Sequence, residues 1–140
     1  MARLIKTDTP AKKRHEQLRS SAEVLRLLAQ KSAFDDEAKD MCAFLVFNFR
    51  GIYKTIEESA QAWDERNYWK KAEKLRHDWR WSRIAAEELE QMIVTNQWSA
   101  VPDYLISLIP HFAAISVSAV TRDADWWCGA LKALRQQQGN

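Results

Sequence analysis

The sequence predicts an all-α fold, an up-and-down bundle of four to five helices. Three observations carry this. Glycine and proline occur only three times each in 140 residues, whereas Ala, Leu, Glu, Lys, Arg and Gln, all good helix formers, are plentiful. Apolar residues recur at three- and four-residue spacing through most of the chain. The regular succession of turn signals that an all-β fold requires is missing. A chain of this length can bury most of its apolar side chains in one core. The expected division is a flexible basic arm over residues 1–9, one bundle domain over 10–135 and a tail over 136–140.

Thr9-Pro10 supplies an N-cap followed by proline at the first helical position, where an N–H would go unpaired anyway. The first helix is expected from about Pro10 to Gln30, with Leu18, Ala22, Leu25 and Leu28 turned inward. Asp35 or Asp36 caps the second, placing acids at the positive end of the helix dipole. Its stretch Met41 to Phe49, MCAFLVFNF, is apolar nearly all round and is the expected centre of the core. Gly51 falls inside the helix, where it costs roughly 1 kcal/mol relative to alanine. Close approach of a neighbouring helix is the expected reason. Ile52, Ile56, Ala60 and Trp63 continue the stripe to about Asp64.

After a break at 64–67, a third helix runs to about Thr95, with Tyr68, Ala72, Leu75, Trp79, Ser82, Ala86, Leu89 and Ile93 facing the core. Ser99 is the expected cap of a fourth helix, with Pro102 and Asp103 in its first turn and a break at Pro110. Phe112 to Val120 is rich in β-branched residues, but no partner strand is visible elsewhere, so helix is expected there too. Asp123 caps a last short helix through Trp126, Trp127, Leu131 and Leu134.

Catalytic chemistry finds no foothold. His15, His77 and His111 fall on different helices without a ligand at metal spacing, and none follows an arginine at ribonuclease spacing. Glycines at 51, 129 and 139 cannot build a phosphate loop. The paired acids Asp35-Asp36, Glu57-Glu58 and Glu87-Glu88 lack apolar surroundings that would raise a pKa. The expectation is a protein that is not an enzyme, with no catalytic residue, metal or cofactor. Cys42 and Cys128 are expected to be buried, reduced thiols of a cytoplasmic protein. The amino terminus lacks the apolar segment of a signal peptide. Tyr104 to Thr121 is uncharged but holds Pro110, His111 and three serines, so core is expected there rather than a membrane span.

Charge is segregated. Residues 1–31 carry eight Lys/Arg against three Asp/Glu, 32–65 three against eight, 66–83 seven against two, and 84–140 three against six. One explanation is mutual pairing of acidic and basic helices. The other is a binding surface. Arg66, Lys70, Lys74, His77 and Trp81 share the reverse face of the third helix, flanked by Arg76, Arg80 and Arg83, while Lys12, Lys13 and Arg14 form a second cluster. In-line cations can engage successive phosphates of RNA or single-stranded DNA, and Trp81 is the expected base-stacking residue. The competing reading is a protein–protein adaptor or homo-oligomer, because seven tryptophans exceed what one small core needs; Trp98, Trp126 and Trp127 are its expected contacts.

In size, helicity and the cationic stretches PAKKRH and RHDWRW, the chain resembles the helical small subunits of CRISPR effector complexes. It is similar in the same respects to the helical accessory proteins of diversity-generating reverse transcriptases. Both resemblances imply a non-catalytic subunit that touches nucleic acid through backbone charge within a larger assembly.

Overall fold

The computed structural model describes residues 8–139. Of the expected basic arm, residues 1–7 lie outside them, as does Asn140 of the tail. Among the described residues five α-helices form an all-α bundle: α1 Pro10–Gln30, α2 Asp36–Glu65, α3 Trp69–Val94, α4 Val101–Leu108 and α5 Ala130–Gln138. Short 3-10 turns cover Trp98–Ala100, Ile109–Phe112 and Ala124–Trp126.

Local chemistry sets the first boundaries as expected. Thr9 Oγ1 accepts from the Lys12 N–H with Pro10 at N1, and Asp35 accepts from the Ala38 N–H. The connections between α1 and α2 and between α2 and α3 are short, and α2 packs along both partners, as antiparallel neighbours do. The central element is α2, packed by α1, α3 and α5. Met41, Cys42, Ala43, Leu45, Val46, Phe49, Ile52, Ile56 and Ala60 are all buried, as an apolar-all-round helix requires. Gly51 admits the Gln17 side chain of α1 so closely that a Cβ there would lie 2.1 Å from Gln17 Nε2. Removal from water pushes the Cys42 thiol up to about 12, whereas Cys128 is exposed, against expectation.

The carboxyl-terminal third departs from the periodicity. Ser99 lies inside a 3-10 turn, and among the described residues no side chain caps α4. Past Phe112 the expected helix does not form, and residues 113–123 run as an irregular strap across α1. The reason is polar satisfaction from outside. Arg26 Nη1 donates to the Val117 carbonyl (2.7 Å) and Arg19 Nη2 to that of Ala119 (2.8 Å). Buried Glu23 accepts from the N–H groups of Thr121 and Arg122 (2.7 and 2.9 Å). Residues 19, 23 and 26 lie on one face of α1, so this helix buries a polar edge as well as an apolar one. Asp123 caps only a 3-10 turn; the last helix starts at Ala130, after Gly129 at φ 82°, with Asp40 of α2 accepting from the Leu131 N–H. It continues through Gln136–Gln138, the start of the expected tail.

Candidate nucleic-acid interface

On α3 the inward stripe is as expected from Ala72 to Ile93, but the reverse face divides into two halves. The element after Leu108 crosses the carboxyl-terminal half. There Trp81 is half-buried, stacked on His111 at 4.2 Å with planes 5° apart and edge-on to Phe49 and Phe112. Burial lowers the pKa of His111. Trp81 therefore belongs to the core, and the expectation that it projects beside the cations is corrected. The amino-terminal half is open to solvent.

Ion pairing further sorts the candidates. Arg76 is clamped by three carboxylates, Glu57 (3.2 Å), Asp64 (2.9 Å) and Glu73 (3.0 Å), and joins α3 to α2. Lys74 pairs with Asp78 and Arg83 with Glu87, each one turn along, and His77 Nδ1 lies 3.5 Å from Asp78. Arg66, Lys70 and Arg80 have no carboxylate partner among the described residues. The second cluster splits: Lys12 pairs with Asp8 and Lys13 stands in solvent, whereas Arg14 turns inward, 5.7 Å from the Trp79 ring, with Nη1 buried and unpartnered among the described residues. Arg14 is thus a packing residue, with its pKa lowered by desolvation.

The α2–α3 connection holds what periodicity missed. Helix α3 begins only at Trp69, so Tyr68 is its N-cap rather than a core residue and is 51% exposed. Trp69 is 61% exposed. Asn67 at φ 66° turns the chain, and the Tyr68 N–H donates back to the Trp63 carbonyl (2.9 Å). Trp63 and Tyr68 meet edge to face at 5.7 Å, with the Lys71 ammonium 4.8 and 5.4 Å from their centroids. Lys70 Nζ lies 5.6 Å from the Trp69 ring and Arg66 Cζ 6.0 Å from that of Trp63. Lys71, too, has no carboxylate partner among the described residues. The signal was legible as adjacent aromatics and lysines, YWKK, directly after an asparagine suited to left-handed backbone.

Of the expected interface tryptophans, Trp127 is 4% exposed, packed on Phe44 and donating from Nε1 to Glu37 (3.2 Å). Trp98 is half-buried against Phe34, 5.7 Å away. Both serve the fold. Trp126 alone of the three is exposed, with the Arg122 guanidinium 4.9 Å from its ring. Among the described residues no group of three His, Cys, Asp or Glu is placed to hold a metal ion, and no helix is long and apolar enough to cross a membrane. Comparison of the chain with protein-family models, with curated proteins and with solved structures finds no match.

Proposed function

We propose that the chain is a non-enzymatic accessory subunit that holds RNA or single-stranded DNA by its phosphates within a larger cytoplasmic assembly. One observation carries the reading: Arg66 in the α2–α3 connection and Lys70, Lys71 and Arg80 of α3 are exposed and lack carboxylate partners among the described residues, while Lys74, Arg76 and Arg83 of α3 are paired. A paired cation is already neutralised, whereas a free one can displace the counterions condensed on a strand. Lys70 and Arg80 are about 15 Å apart along the axis at 1.5 Å per residue, a length over which a strand presents several phosphates.

The test is the salt dependence of binding to labelled RNA, read by fluorescence anisotropy. Four phosphate contacts give a slope of log K on log salt of about −3 for a single strand. Lys70→Glu combined with Arg80→Glu is expected to abolish binding without changing helicity or melting, because exposed unpaired charges add little to stability. Absence of saturable binding by the wild-type chain at low salt refutes the reading.

A second reading, a protein–protein adaptor or homo-oligomer, is favoured by a separate feature. Leu25, Leu28, Phe34, Leu105, Ile106 and Ile109 line an apolar groove of about 270 Å³ between α1 and α4, and Ile106 is 62% exposed. Exposed apolar surface of this kind is a common mark of protein contact.

A further inference from the structure

We propose that the aromatic end of the α2–α3 hairpin is a stacking platform for unpaired bases, so that the partner is a single strand rather than a duplex. The inference rests on the nucleic-acid reading above and names the form of partner. Burying a tryptophan removes roughly 150–250 Å² from water, a gain that Trp69 largely forgoes. Beside it Tyr68 is half in solvent, and neither ring belongs to the core.

Charge and ring surface share this patch. The cations at Arg66, Lys70 and Lys71 lie against indole and phenol rings instead of carboxylates. A nucleotide needs both: a cation for its phosphate and a π-face for its base. Two of the rings, Trp63 and Tyr68, are also held before any ligand arrives. They are locked edge to face, and the Asn67 and Tyr68 N–H groups donate to carbonyls of α2. Such preorganisation lowers the entropy lost on binding.

A duplex already stacks its own bases and offers this patch only phosphates, so the rings add affinity for unpaired strands alone. Glu65 and Glu73 are exposed and lie close in sequence to the lysines, which disfavours a flat anionic membrane. The single strand is the better fit.

The experiment compares labelled oligouridylate with a labelled RNA duplex of equal length, using the wild-type chain, Trp69→Ala, Tyr68→Ala and Trp69→Phe. Both rings are exposed, so all four proteins are expected to show the same helicity by circular dichroism. Each alanine variant is expected to weaken single-strand binding about 5- to 100-fold, leave duplex binding within about twofold and keep the salt slope unchanged. Trp69→Phe is expected to restore most of the loss. Equal losses on both ligands, or no loss on either while the wild type binds, overturn the platform and leave the cation row standing. Failure of the wild type to bind either RNA overturns both proposals. In that event, Trp69-dependent binding to phosphatidylglycerol vesicles would assign the patch to lipid instead.

Discussion

Glu23 is a fully buried carboxylate that holds an irregular segment in place. Burial alone would raise its pKa; the N–H groups of Arg122 and Thr121, the Arg19 guanidinium and the Thr121 hydroxyl outweigh this and bring it down to about 2. In the unfolded chain a glutamate titrates near pH 4.3, roughly two units higher. The folded state thus favours the ionised form, and the resulting stabilisation of about 3 kcal/mol is present above the unfolded pKa and is lost as pH falls toward 2. Glu23→Gln is expected to lower stability by about 3 kcal/mol at pH 7 and by far less near pH 2.5. Urea midpoints across that range check it. Parallel pH profiles for the two proteins would show that Glu23 does not control the acid response.

Among the elements, α3 is informative because one helix serves two purposes. Lys70 is expected on its reverse face and Arg76 on the flank as parts of one binding surface or as partners of acidic helices; in the fold Arg76 is committed to α2 while Lys70 is not. Removing the Arg76 side chain leaves Glu57 and Asp64 without their shared counter-charge. Arg76→Ala is therefore expected to lower stability by about 1 kcal/mol, the modest figure for partly exposed pairs, and to leave RNA affinity within about twofold. Thermal melting and anisotropy measured on one preparation separate these effects. A variant with an unchanged melting temperature but lost binding would return Arg76 to the phosphate-contacting set.

For the whole molecule, the exposed cations at the hairpin end and the apolar groove between α1 and α4 are carried by different elements. The two functional readings can therefore be tested independently. Ile106→Glu places a charge on the groove and is expected to leave RNA affinity within about twofold. On the adaptor reading the same substitution turns an oligomer into a monomer by light scattering. A wild-type chain that is monomeric at every concentration, unchanged by Ile106→Glu, removes self-association. Trp127 is a poor probe of that question, because truncating a buried tryptophan disturbs the core itself.

The part of the fold governed by local rules was legible in the amino-acid order. Thr9-Pro10 and Asp35 started α1 and α2, the apolar run at Met41 to Phe49 marked the central helix, and Gly51 marked a close crossing. These signals work because capping and burial periodicity act within a few residues. Tertiary structure alone decided the rest. Periodicity gives a residue's angle about the α3 axis, but not how far a neighbour extends along it. Trp81 and Lys70 share a face, yet only Trp81 is covered, by His111 and Phe112. Residues 113–123 stay irregular because Arg19, Glu23 and Arg26, about a hundred residues earlier, satisfy backbone groups of this segment. Hydrogen bonds from that distance leave no trace in local sequence.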